Sequence, residues 1–180
     1  LDIWEAHGAT VDRNTMVVKA PGHLIEEALK QAPPAYTLAA RQHAQDLPLD
    51  GNHVFVGTDG CGVQVMDVRT GELRRSALQD VADIARVGDF LEEVAFHWVA
   101  VSAQDCPPRT RGLHELRAIW ENSTKHVQTE SIYSAHEARA AVEMAASVAG
   151  GRAALRERPL LSIMECTAPP LGQDGGSLEA

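Results

Sequence analysis

"VAFHWVAVSAQDCPPRTRGLHELRAIWENSTKHVQTESI" (Val94 to Ile132) decides the fold. It opens on an apolar run, Val94 to Ala103, rich in valine and aromatic side chains, which suits a buried strand. A short loop, "QDCPP", turns the chain. "RTRGLHELRAIWENS" then reads as a helix, and "HVQTESI" as a second strand. A strand, a helix and a strand in about this length is a βαβ unit, which takes roughly 30 residues or more.

The same alternation continues on both sides. Upstream, "SALQDVADIARVGDFL" has apolar residues at helical spacing, and Ser76 with Gln79 is read as its capping box. Downstream, Ser134 with Glu137 caps "AHEARAAVEMAASVAG", and Gly150-Gly151 stops that helix. "PLLSIMEC" is a third strand, and Ser177 to Ala180 read as the start of another helix. Strands therefore recur near residues 96, 127 and 161, with a helix between each pair. Consecutive βα units predict an α/β fold with a parallel sheet, either doubly wound or a (β/α)8 barrel. Periodicity does not choose between these. Three strands are too few to close a barrel. With a first residue Leu1 rather than Met, this makes a fragment of a longer protein the expectation.

Residues 1–75 read as an N-terminal extension, and residues 76–180 as the βα units. In the extension, "PGHLIEEALKQAPP" predicts a helix with Leu24, Ile25, Ala28 and Leu29 on one face, closed by Pro33 and Pro34. "HVFVGTDGCGVQVMDVRTGEL" predicts a β-hairpin around the glycine-rich "GTDGCG", with a second turn at Arg69 to Gly71. That glycine-rich segment is not a phosphate cradle, because no helix follows it.

Composition narrows the function. A net charge of −9 with no basic stripe argues against a nucleic-acid partner. No apolar run approaches the ~18 residues that span a bilayer, and no secretory apolar segment opens the chain, so a cytoplasmic protein with no membrane association is expected. Cys61, Cys106 and Cys166 are odd in number and widely spaced, as free thiols are.

The strand ends carry the candidate site. In parallel α/β proteins, ligands bind at the C-terminal ends of the strands, where the loops converge. Here the first strand runs into Ser102, Gln104 and Asp105, the second carries Gln128, Thr129, Glu130 and Ser131, and the third ends on Glu165, Cys166 and Thr167. Gln104, Asp105, Gln128, Glu130, Glu165 and Cys166 are therefore the candidate substrate-binding residues. Each carboxylate also has a plain structural alternative, as a helix cap or an ion-pair partner for a residue such as Arg109. The "DCPP" and "ECTAPP" loops read first as rigid turns. Phe96 and Trp98 share a strand face and read as core rather than a cation cage, and Trp120 as helix packing. Cys106, Cys166 and Glu165 are the one set that could hold zinc. No C-x-x-C or H-E-x-x-H supports it, and no metal is expected.

Four stretches match a known pattern: "GHLIEEALKQAPPAYTLAARQ", "HVFVGTDGCGVQVMDVRTGELRRSALQDVADIARVGD", "FHWVAVSAQDCPPRTRGLHELRAIWENSTKHVQTE" and "EARAAVEMAASVAGGRAALRERPLLSIMECTAPPL". In these the chain resembles the N-terminal part of the trimethylamine methyltransferase (MttB-like) family of corrinoid methyltransferases. The resemblance implies a TIM barrel. It implies transfer of a methyl group from trimethylamine or a betaine to the cobalt of a corrinoid (cobalamin) carried by a separate cognate protein. It also implies a homo-oligomer at full length. Some members carry pyrrolysine in a later part of the barrel, outside this chain; the wording of "GTDGCG" and "SAQDCPP" leans towards the branch without it. No catalytic residue is carried over from the family. The competing expectations are a zinc-dependent TIM-barrel methyltransferase or lyase, and an inactive barrel fragment. On the leading reading, the 180 residues alone are expected to have no activity.

Overall fold

The computed structural model describes residues 1–164, 166, 169, 172 and 175–179. The chain divides into two compact units, Leu1–Tyr36 and Thr37–Ala180. The first holds helix α1 (Asp2–Ala6), an antiparallel pair β1 (Thr10–Asp12) and β2 (Val17–Lys19), and helix α2 (Gly22–Gln31). Arg13 ties this unit together through ion pairs to Asp2 and Glu5. Helix α2 forms where its pattern predicts, but it has no buried residue, and Ile25 and Leu29 are exposed. Helical spacing creates a stripe but does not by itself supply a partner for it.

Strand β3 (Tyr36–Leu38) begins at the boundary residue and pairs with β4 (Leu47–Leu49). The centre of the second unit is a parallel sheet whose first to fourth strands are β5 (Val56–Gly57), β8 (Val94–Trp98), β9 (His126–Thr129) and β10 (Leu161–Ile163), β5 standing ahead of the three strands expected from sequence. Their order across the sheet follows the chain, with no reversal among these four. Between β5 and β8 come the antiparallel pair β6 (Gln64–Met66) and β7 (Leu73–Arg75), then helix α3 (Leu78–Phe90). Helix α4 (Arg111–Asn122) links β8 to β9. Helices α5 (Ala135–Ala149) and α6 (Arg152–Glu157) link β9 to β10, and a short helix α7 (Gly175–Glu179) follows. No helix among the described residues is long and apolar enough to cross a membrane.

The "GTDGCG" segment departs from expectation. It is not a hairpin turn. It runs alongside β8 as a parallel edge, with Thr58 N–H donating to Phe96 O, Cys61 N–H to Val99 O, and Gly62 N–H to Ala100 O. The hairpin lies further on, between β6 and β7, and closes through the Arg69–Gly71 turn. The glycines explain the edge. A Cβ on Gly60 would lie 2.2 Å from Ala100 O, and one on Gly57 would enter the Phe96 ring. Glycine here permits close backbone approach rather than a tight turn.

Helix α4 shows why the sequence folds this way. Gly112, Glu115, Leu116, Ile119 and Trp120 are buried and follow i, i+3, i+4, i+7, i+8, one continuous stripe. Leu116, Ile119 and Trp120 join Val81, Ala82 and Ala85 of α3, Val99 and Val101, Val127 of β9, and Ala138, Ala141 and Ala145 of α5 in one core. Small residues bring the layers close. The His97 ring of β8 lies 2.6 Å from where a Gly88 Cβ would sit. Truncating a core residue such as Leu116 to Ala would cost about 2–5 kcal/mol.

The helix ends are set by side chains. Ser134 Oγ accepts the Glu137 N–H at 3.2 Å, and the Glu137 carboxylate accepts the Tyr133 N–H at 3.0 Å. Gly150, at φ +90°, terminates α5 in the left-handed region, as its position predicts. The cap of α3 differs from the expected Ser76–Gln79 box. Asp80 accepts the Ala77 N–H at 2.8 Å, while buried Ser76 turns inward and donates to Ser102 O at 2.6 Å. The stronger acceptor, a carboxylate, takes the cap.

The N-terminal ends of the strands are tied by a second polar set. His126 bridges Ala39 O and Ser162 Oγ, each at 2.8 Å. Arg158 pairs with Asp46 and holds Ala40 O. Lys125 is buried and donates to the carbonyls of Gly88, Leu91 and Val94 at 2.5–2.7 Å, closing the C-terminal end of α3.

Candidate functional site

Strand alternation separates the two faces of the sheet. His97, Val99, Val101 and Val127 are buried, the three valines in the core shared with the helices, and His97 against α3. Phe96, Trp98 and Ala100 alternate with these on the second strand, and the large Trp98 side chain still packs against the core. Gln128 and Glu130 of the third share their side of the sheet, because Trp98 is directly paired with Gln128. At the C-terminal end of that face the Cys61 thiol donates to the Glu130 carboxylate. The bond joins the first strand's extension to the third strand across the second. Ala100, level with Glu130 by continuation of the register, is small enough to lie beneath it.

Cys61 has φ +62°, a strained conformation for a residue with a Cβ. Burial, reinforced by the hydrogen bond to Glu130, pushes its thiol up to about 12. It is a hydrogen-bond donor at neutral pH, not a nucleophile. Trp98 lies on the same sheet face, and its Nε1 is buried with no hydrogen-bond partner among the described residues.

Two residues beyond Ala100 on the second strand lies Ser102. Arg111, at the start of α4, reaches its Oγ from Nη1 at 3.5 Å. The Arg111 Nε is buried without a hydrogen-bond partner among the described residues. Glu115, one turn further along α4, is fully buried. Its Oε1 accepts the Ala103 N–H at 2.7 Å, and the Ser102 hydroxyl and the Arg111 charge also favour its ionised form. Burial raises the Glu115 pKa. Gly112 lets this helix end approach the third strand: a Cβ there would lie 2.3 Å from Ser131 O.

The six residues expected from sequence separate under this geometry. Gln128 and Glu130 stand on the same face of β9, at its C-terminal end. Asp105 instead accepts the Leu78 N–H at 2.8 Å, holding the first turn of α3, which is its structural alternative. Gln104 is used locally: its side chain donates to Ser102 O at 3.1 Å and its backbone N–H to Ser76 O. Cys166 is exposed. Glu165 lies outside the described residues. Cys106 packs partly buried against the core, and among the described residues no three His, Cys, Asp or Glu side chains converge as a metal would require.

Sequence reasoning passed over Cys61, Arg111 and Glu115. Cys61 was masked by the hairpin reading of its glycines. Glu115 left a signal: it is the one acidic residue in the apolar stripe Gly112, Leu116, Ile119, Trp120.

A four-stranded parallel sheet in chain order, with its helices packed into one core, defines an α/β protein. The chain belongs to the trimethylamine methyltransferase (MTTB) family, whose model matches residues 1–180. It is similar to the trimethylamine methyltransferase MttB of Desulfitobacterium hafniense, with 37% identity over 95% of this chain and 34% of that protein. The trimethylamine methyltransferase MttB2 of Methanosarcina mazei is 28% identical over 94% of this chain and 35% of its own length. A glycine betaine methyltransferase of Desulfitobacterium hafniense is 26% identical over the whole chain and 37% of its own length. The chain thus spans about a third of the length of these relatives.

Proposed function

We propose that these residues form the first four βα units of a (β/α)8 barrel that demethylates a methylated or quaternary amine, trimethylamine or a betaine. The methyl acceptor is the cobalt of a corrinoid carried by a cognate protein. Family membership supports the reaction class. The sequential order of the parallel strands supports the barrel, because a doubly wound sheet reverses its order at a switch point.

The observation that carries the reading is Glu130, held by Cys61 at the end of the third strand, on the sheet face of Trp98. A carboxylate and an aromatic face are what a methylated ammonium group needs. Methyl transfer breaks one C–N bond, whose electron pair returns to nitrogen, while the acceptor's electron pair forms the new bond to the methyl carbon. The chain's residues contribute by fixing the ammonium group in line with the acceptor and excluding water. Cys61 orients Glu130 without competing as a nucleophile, because its thiol stays protonated.

The test uses the full-length protein of the parent reading frame with cob(I)alamin and trimethylamine, glycine betaine, proline betaine and carnitine. Methylcobalamin is followed by absorbance. Formation with at least one amine is expected; no formation with any of them, in a folded protein, overturns the reading.

A further inference from the structure

We propose that residues 39–47 form a latched strap that closes the N-terminal ends of the second to fourth strands, at the opposite end of the sheet from Glu130, and opens as one unit when the Asp46–Arg158 pair is broken. What the closure serves rests on the barrel proposed above; that the strap is latched does not. Methyl transfer needs water excluded from the barrel interior, and the strap shuts the end that the candidate site does not use. Three observations lead to it.

First, the strap is held from three strands, always at their N-terminal ends. His126, which opens the third strand, donates from Nδ1 to Ala39 O at 2.8 Å. In the loop just before it, Thr124 O accepts the Arg41 N–H at 2.9 Å, and Thr124 Oγ1 donates to Gln45 Oε1 at 2.8 Å. Arg158, three residues before the fourth strand, donates to Ala40 O at 2.7 Å. Gln45, Asp46 and Leu47 share the wall of one cavity with Val94 and Ala95 of the second strand.

Second, one ion pair is the hub. The Arg158 guanidinium reaches both Asp46 oxygens, at 2.7 and 2.8 Å, and the same carboxylate accepts the Ala40 N–H at 2.9 Å. The fork of Arg158 holds the Asp46 carboxyl below its usual range, so the pair is charged at neutral pH. The two side chains are only 27% and 22% exposed, and a forked, half-buried pair is stronger than an open surface one. Third, the strap stands apart from the main core. Ala39, Ala40 and Leu47 are buried, yet none belongs to the cluster shared by α3, α4, α5 and the strands among the described residues. A segment held by a few polar contacts outside the core is one that opens locally, ahead of the rest of the fold.

The experiment is hydrogen–deuterium exchange of the full-length protein, read by peptide mass spectrometry under conditions where exchange reports the opening equilibrium. Wild type is compared with Asp46→Ala, Asp46→Asn and, as a control, Arg117→Gln, which breaks the exposed Arg117–Glu121 pair on α4. In wild type, peptides covering 39–47 are expected to exchange far more slowly than free peptide. Asp46→Ala is expected to speed them by about 10- to 100-fold, the range for losing a charged hydrogen bond, with α5 unchanged. Asp46→Asn, which still accepts the Ala40 N–H, is expected to fall between, and it carries the comparison if circular dichroism shows the alanine variant unfolded. Arg117→Gln is expected to leave 39–47 as in wild type. Free-peptide rates at 39–47 in wild type, or rates unchanged in both Asp46 variants, overturn the inference. Equal acceleration of α4 and α5 overturns it too, because the strap would then open only with the whole fold. Exchange is read without turnover, so a failure of every amine in the methylcobalamin assay would sink the methyltransferase reading and leave the latch standing.

Discussion

The thiol of Cys61 is hydrogen-bonded to the carboxylate of Glu130, and this contact joins the first and third strands over the second. Burial and that carboxylate together keep the thiol protonated. Cys61 and Cys166 are both exposed, yet they should react differently. Iodoacetamide at pH 7.5, followed by peptide mass spectrometry, should label Cys166 well before Cys61. In Glu130→Gln the nearby charge is gone, so Cys61 should react faster, by about tenfold for each unit its pKa falls. Equal rates at Cys61 and Cys166 in the wild type would contradict the assigned contact.

Under the proposed function, Glu130 binds the cationic head of the substrate. In the full-length protein, Glu130→Gln should raise the KM for the amine by about 10- to 100-fold, the range for a charged hydrogen-bonding partner. Asp105→Asn should act instead on stability, since Asp105 holds the first turn of α3. Steady-state kinetics and thermal melts of both variants would show whether these effects separate. A KM effect at Asp105 larger than at Glu130 would reverse the assignment.

Gly112 and Gly22 make a matched pair. A methyl on Gly112 would lie 2.3 Å from the Ser131 carbonyl oxygen, whereas one on Gly22 meets nothing within 4 Å. Gly112→Ala should destabilise by about 1–3 kcal/mol or more. Gly22→Ala should be neutral or stabilise by about 0.4–1 kcal/mol. Urea midpoints decide; similar midpoints would show that α4 does not approach the Ser131 carbonyl so closely.

Stability should fall with acid between pH 6.5 and about 4. Burial, aided by the charge of Lys125, depresses the His97 pKa to about 4, against an ordinary value of 6.5. Between those limits the unfolded chain binds the extra proton and the folded chain does not. Unfolding free energy therefore rises with pH across this window and is complete above it. Denaturation of wild type and His97→Gln across the window should give a shallower slope for the variant. Parallel slopes would remove His97 from the acid response.

Lys125 should be among the least replaceable residues. Its amine serves three carbonyls in a buried place. Lys125→Met keeps the apolar stem but leaves all three without that donor, at a cost of about 2–5 kcal/mol. A melt within a degree of wild type would show that water replaces the amine.

How much was legible differs by element. Helices α4 and α5 are local objects, so spacing, the Ser134–Glu137 cap and Gly150 located them to within a few residues. Helix α6 was missed, because its six residues, Arg152–Glu157, are too few to show a period. Of the candidate residues, Glu130 was visible as a carboxylate at a strand end. Asp105 had the same signature but a different fate, because the nearest unsatisfied donor was Leu78 N–H, 27 positions away.

By itself the sequence determined the alternation of strands and helices, the family pattern and the polar ends of the strands. These depend on residues a few positions apart, and backbone geometry turns such spacing directly into periodicity. Only the tertiary structure decided that Val56–Gly62 pairs with β8 rather than with itself. It also decided that Cys61 meets Glu130, 69 positions away, and that Arg111 turns towards Ser102. A strand's partner is selected by hydrogen bonds and close packing across the whole chain, and no local pattern records which edge remains open to accept it.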